Sequence, residues 1–247
     1  MTSTPVPVAD PSLDDLETLI AEGRLYVALC PIKPVSATNG EIYAREMLLR
    51  APGKTTRKLL YDMERAGKMS DLARALVAQA YALAGQNRQN YHFNLRPEDL
   101  TLHLVDVITS LEHKAKKSRQ VGIEITEQST ISLEQWELLQ KLHQQGIPIW
   151  LDDVDVLLPD RLLEYLQRDL PITGVKISHK LIHNAFGPQG PKNPAAYSQL
   201  QSLAKRCDER SWEIIAEGAN RMTDWLHLSR LGIHYYQLRH EDGSERI

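Results

Sequence analysis

Short apolar runs alternate along the chain with longer stretches in which apolar residues recur every three or four positions. The short runs, rich in Val, Ile, Leu and Tyr, fit strands, and the longer ones fit amphipathic helices. Strand candidates are Leu25–Cys30, Ile42–Leu49, Tyr91–Leu95, Val121–Glu127, Pro148–Val154, Gly174–His179, Trp212–Ala219 and Ile233–Leu238. Helices are expected over Lys58–Ala84, as two helices broken near Gly67–Ser70, and over Asp99–Lys117, Leu133–Gln145, Arg161–Asp169, Ala195–Arg210 and Met222–Leu231. Several boundaries carry a mechanism. Ser132 stands before Leu133-Glu134-Gln135 as an N-cap with Gln at the third helical position. Gly146 closes that helix and Pro148 opens the next strand. Asn193-Pro194 is a helix start with Pro at the first position, and Asn184–Lys192 is a Gly/Pro-rich loop.

Strands alternating with helices predict a parallel sheet with helices outside. Eight strand candidates point to a TIM-type (β/α)8 barrel, and an open doubly wound sheet is the alternative that periodicity leaves standing. After the eighth strand only Arg239–Ile247 remain, too short and polar for a full final helix. The closing helix is therefore expected to be missing, or replaced by a partner or by Leu13–Glu22. Residues 1–14, rich in Pro, Ser, Thr and Asp, read as a flexible lead, and residues 15–247 as one barrel domain.

Composition changes this picture little. The 247 residues are 42% hydrophobic and 25% charged, as in an ordinary globular protein. A net charge of -3 offers no basic footprint for nucleic acid. No apolar run approaches a membrane span, and the N-terminus lacks the basic start and apolar core of a secretory signal. Cys30 and Cys207 are far apart and without metal or disulfide spacing, so reduced thiols in a cytoplasmic protein are expected. His179 and His183 follow a strand end and read as loop or helix residues rather than ligands. Trp136, Trp150, Trp212 and Trp225 read as packing, and the run from His113 to Lys117 as a solvated helix end.

A parallel barrel places its chemistry at the C-terminal ends of its strands. Acids and amides gather there: Glu46 on strand two, Asn94 on three, Glu124 and Glu127 on four, Asp152 and Asp153 on five, Lys176 on six, Glu217 on seven and Gln237 on eight. Carboxylates plus an amide oxygen, without cysteine, form a hard-oxygen set suited to Mg2+, Mn2+ or Ca2+. Adjacent strand residues face opposite sides, so Asp152 and Asp153 serve one site only where the strand is ending. There they suit a two-metal phosphodiester hydrolase. Lys176 is placed to orient water, to stabilise phosphate charge, or simply to pair with an acid.

These residues resemble the motifs of the EAL family, the bacterial cyclic di-GMP phosphodiesterases and their degenerate relatives. Glu46-Met47-Leu48-Leu49-Arg50 is similar to the EAL-Leu-Arg signature, with Met for Ala. Asn94-Leu95, Glu124-Ile125-Thr126-Glu127, Asp152-Asp153, Lys176-Ile177, Glu217-Gly218 and Tyr235-Tyr236-Gln237 follow in the family's order. The resemblance implies hydrolysis of cyclic di-GMP to linear pGpG with Mg2+ or Mn2+, in bacterial signalling. It implies one metal on Glu46, Asn94, Glu124 and Asp152, and a second on Asp152, Asp153 and Glu217. Lys176 would assist the attacking water, Arg50 would contact the dinucleotide, Glu127 would steady the loop after strand five, and Gln237 would support the site. A homodimer or a protein partner stays open.

Other positions depart from the family's pattern. Val154-Asp155-Val156-Leu157 stands for Phe-Gly-x-Gly, Ser178 for the Asp of Lys-Ile-Asp, Asn220 for the last Glu of Glu-Gly-Val-Glu, Cys30 for a Gln, and Leu238 for a Gly. Val and Leu resist backbone conformations that glycine permits, and a hydroxyl cannot replace the charge of a carboxylate. The alternative is therefore a degenerate regulator that binds cyclic di-GMP or a protein.

Overall fold

Along the central strands, alternate residues belong to two separate cores. Ile123, Ile125, Ile149, Leu151, Val175 and Ile177 join the large apolar cluster that includes helix residues such as Leu139 and Leu142. Ile32, Ala44, Trp150 and Ile215 form a second cluster, with Tyr43 and Tyr235 packed against it. A sheet closed on itself makes both, one outside under the helices and one inside the barrel. A computed structural model describes residues 25–36, 41–53, 55–87, 89–115, 121–126, 131–155, 171–187, 190–238 and 245–246.

The barrel strands are β1 (Tyr26–Pro34), β2 (Ala44–Arg50), β3 (Asn90–Leu95), β4 (Val121–Thr126), β5 (Ile149–Val154), β6 (Gly174–Ile177), β9 (Glu213–Glu217) and β10 (Tyr235–Gln237). They pair in that order, and β10 pairs with β1 to close the ring. Helices α1 (Thr56–Arg65), α2 (Met69–Asn87), α3 (Leu102–Ala115), α4 (Leu133–Gln144), α5 (His179–Ala185), α6 (Pro194–Asp208) and α7 (Met222–Arg230) lie between them. The expected Gly/Pro-rich loop contains two short paired strands, β7 (Phe186–Gly187) and β8 (Gly190–Pro191).

One strand departs from the parallel pattern. β1 runs antiparallel to both β2 and β10. The link to β2, residues 35–43, is shorter than the roughly dozen residues of a parallel crossover. The chain after β10 forms no helix among the described residues. Glu245–Arg246 (β11) pair antiparallel with Leu29 and Ala28 of β1.

Local chemistry explains the ends. Ser132 accepts from Gln135 N while Gln135 returns a side-chain bond to Ser132 N, a full capping box. Asn193 accepts from Ala195 N and Ala196 N, with Pro194 at the first helical position. Several boundaries differ from the sequence expectation: the first strand runs on past Cys30 to Pro34, and the eighth begins at Tyr235 rather than Ile233. The sixth strand stops at Ile177, because Ser178 and His179 already start α5. The segment from Asp99 begins with a 3-10 turn, Pro97–Asp99, and becomes helical only at Leu102. The expected helix Arg161–Asp169, the segment Leu13–Glu22 and Glu127 lie outside the described residues. Among the described residues, no helix is long and apolar enough to cross a membrane.

Candidate active site

The interior of the barrel changes character from floor to mouth. At the floor, Tyr43 stacks on Tyr235 at 3.9 Å, and Tyr235 Oη donates to Glu213 Oε1 at 3.0 Å. Above them lie Trp150 and His92, and above these the acids. The acids reach one place because Glu46, Glu124 and Asp152 all point inward from parallel neighbours in register: Asn94 stands beside Glu124, and Thr126 beside Asp152. Among the described residues, Glu46, Glu124 and Asp152 each bring one oxygen within 4.8 Å of the others, and all three are buried.

Lys176 sits in the middle and is fully buried. Its Nζ lies 2.8 Å from Glu124 Oε2, 2.9 Å from Asp152 Oδ1, 2.9 Å from Glu217 Oε1 and 3.3 Å from Glu46 Oε2. The contact with Asp152 Oδ1 is an ion pair whose angles fall short of a well-formed hydrogen bond. Two amides hold Glu46: Asn94 Nδ2 donates to Oε1 at 2.7 Å and Gln237 Nε2 to Oε2 at 2.6 Å. Seven of the residues expected from sequence therefore form one connected group.

The rest are placed differently. Asp153 is half-buried, with φ 55, inside an irregularity of β5. Leu151 faces Val175 and Val154 faces Ile177, so Asp152 and Asp153 together oppose Lys176. This bulge interrupts the strict alternation of the strand, which is how neighbouring acids come to lie at one mouth. Arg50 lies at the rim, where Nη1 donates to Leu49 O and Thr56 Oγ1, both at 2.8 Å. It lines a cavity of about 200 Å3 with Met47, Leu60, Asn94 and Arg96. A larger cavity of about 620 Å3, lined by Lys205, Trp212, Arg230 and His234, lies at the opposite end, away from the acids. His179 and His183 are exposed on α5. Cys30 is buried opposite Glu46 on β1, and burial pushes its thiol up to about 11.

Four carboxylates share one ammonium, and their pKa values divide accordingly. Burial opposes ionisation of Glu46, but Lys176, Gln237 and Asn94 outweigh it and bring the group down to about 2. Burial dominates for the others and Lys176 offsets it only in part. Glu217 rises to about 7, Asp152 is raised, and Glu124 is raised well above the usual range. For Lys176, burial is overcome by Asp152, Glu124 and Glu46, so the ammonium stays charged. A largely buried pocket in which four carboxylates face one ammonium offers the hard oxygen donors that a divalent cation takes.

His92 is the interior residue that the sequence did not single out. It is buried two positions before Asn94 on β3, and its Nδ1 lies 3.0 Å from Glu124 Oε1. Burial, with Lys176 nearby, brings its pKa down to about 3, so the ring is neutral. The one available signal was its spacing of two from Asn94, which puts both on one strand face.

The family model of the EAL domain matches residues 13–237. No curated protein sequence matches the chain. Among solved structures the chain is similar to the PaMucR phosphodiesterase in complex with c-di-GMP, at TM-score 0.72 and 20% identity, over 94% of this chain and 96% of that one. It is similar to the Xanthomonas citri FimX EAL domain in complex with c-diGMP, at TM-score 0.76 and 12% identity, over 93% and 90%. It is also similar to Klebsiella pneumoniae BlrP1 in a manganese/cy-diGMP complex, at TM-score 0.69 and 20% identity, over 87% of this chain and 55% of that one. At these identities the likeness is one of fold.

Proposed function

The chain belongs to the EAL domain family, and from that premise we propose that it hydrolyses one phosphodiester of cyclic di-GMP to linear pGpG with Mg2+ or Mn2+. The observation that carries this reading is the meeting of Glu46, Glu124 and Asp152 oxygens within 4.8 Å beside Lys176. Glu46, Asn94, Glu124 and Asp152 would hold one cation, and Asp152, Asp153 and Glu217 a second. A bound cation supplies charge against phosphoryl oxygens and makes water more acidic. Lys176 adds the positive charge of the chain itself, placed to orient the attacking water or to meet charge developing on phosphate. Gln237 and Asn94 keep Glu46 ionised and fixed. Arg50, lining the rim cavity beside Asn94, suits a phosphate or base of the dinucleotide. Glu127 would steady the loop after β5. The ligand named for PaMucR and BlrP1 supports the same substrate class.

A second reading is a receptor that binds cyclic di-GMP, or a protein, without turnover. Ser178 favours it: this hydroxyl is buried without a partner where the family carries a carboxylate. One experiment separates the two. Purified protein is incubated with cyclic di-GMP and Mn2+, and products are resolved by chromatography beside a Glu46→Ala control. The expected outcome is pGpG in the wild type only. No product, together with a ligand-dependent rise in melting temperature, would establish the receptor instead. Neither effect, with a co-purifying protein, would point to a protein partner.

A further inference from the structure

We propose that His92 is a positioning residue for the cation site: its Nδ1 fixes one oxygen of Glu124 so that the other faces the acids and Lys176. The inference rests on the reading of those acids as cation ligands. Its basis is a division of labour on one carboxylate. Glu124 Oε1 lies 3.0 Å from His92 Nδ1, and Oε2 lies 2.8 Å from Lys176 Nζ. Both oxygens thus have a partner, on opposite sides, and the plane of the carboxylate is set. Glu124 is fully buried, so this setting is made by protein groups.

The imidazole is itself held by shape. Tyr43 meets it edge-on, with ring centres 6.1 Å apart at 87°. Trp150 lies against it at 5.5 Å and 33°. On the third side is Gly122, where a Cβ would stand 2.7 Å from His92 Cδ2. The slot for the ring exists because residue 122 has no side chain. Gly122 and Glu124 share a face of β4, so the strand that carries the ligand also makes room for the group that orients it. An ionised Glu124 requires the proton on Nδ1, which then donates. Partners behind a ligand commonly govern metal affinity by about 10- to 100-fold.

The test uses the full chain. Mn2+ binding is read from the electron paramagnetic resonance of the free aqua ion, with metal-free melting recorded for each variant. His92→Asn and His92→Leu have nearly the same shape, but only Asn retains an N–H at the bond occupied by Nδ1. His92→Leu is expected to weaken binding about 10- to 100-fold, and His92→Asn to stay within about threefold of wild type. Gly122→Ala keeps every polar group and displaces the ring, so it too is expected to weaken binding, and it carries the test should His92→Leu fail to fold. Equal affinities in the Asn and Leu variants, or unchanged affinity in Gly122→Ala, would overturn the inference alone. Wild-type protein that binds Mn2+ no better than Glu124→Gln would sink the cation reading, and the inference with it.

Discussion

Removing the ammonium of Lys176 would leave Glu46, Glu124, Asp152 and Glu217 facing one another in a largely buried space. Breaking a buried ion pair by deleting one partner costs about 3–5 kcal/mol. Lys176→Met is therefore expected to lose about that much in metal-free urea denaturation, with part regained on adding Mn2+. A variant as stable as wild type would mean that the acids are already neutral without the lysine. At this scale most of the site was legible. Glu46, Asn94, Glu124, Asp152, Lys176, Glu217 and Gln237 stand at strand ends, and a barrel rule says strand ends converge. His92 was not legible, because a lone histidine in a strand acquires meaning only when Glu124 of the next strand arrives beside it. Arg50 was read as a ligand contact, and its bonds to Thr56 and Leu49 tie it to the α1 end of β2.

Between elements, glycine positions report how closely backbones approach. A Cβ on Gly174 would stand 2.2 Å from the Glu213 carbonyl oxygen and 2.7 Å from the Trp150 ring. The first is backbone and the second lies in the packed interior of the barrel, so neither yields easily. Gly174→Ala is expected to cost about 1–3 kcal/mol or more, read as a fall in thermal or urea stability. Gly85, in α2, has open space where a Cβ would stand, and Gly85→Ala is expected to gain about 0.5–1 kcal/mol. If the two variants behaved alike, close packing between β6 and β9 would not be the cause. Element types were readable from periodicity and capping, as Ser132 and Asn193 show. Ends were less so. Gly174–His179 looked like one strand because Ser178 and His179 continue its composition, yet the backbone turns into α5 there. The bulge at Asp152-Asp153 has no local signature at all, since it is the register with β6 that creates it.

For the molecule as a whole, the crowded acids make stability depend on pH. Glu217 moves from its ordinary 4.5 up to about 7, and Glu124 and Asp152 are raised as well. The folded state then holds protons that the unfolded chain releases, so metal-free stability falls as pH rises from about 4.5 through about 7. His92, brought down to about 3 from 6.5, acts in the opposite sense below 6.5. Above about pH 6.5 the histidine contribution fades as the unfolded imidazole loses its proton, and the carboxylates dominate through about pH 7. There the metal-free melting temperature is expected to fall with rising pH, and Mg2+ or Mn2+ to flatten the slope by holding the acids ionised. A slope unchanged by either cation would count against cation binding by these acids. Barrel closure was the part of the fold that periodicity left open, because an open sheet has the same alternation. The closure depends on β1, and its reversed direction was implicit in a link too short for a crossover.

That reversal decides where the polypeptide enters. Tyr26 lies across from Arg50, so β1 begins at the rim that carries the chemistry, and it ends at the far end, where Pro34 pairs with Tyr235. A displacement at Tyr26 would reach Arg50 first and, four residues on, Cys30 and its neighbour Glu46, without having to cross from the far end of the barrel. The first residues of β1 are thus a handle fastened to the working end.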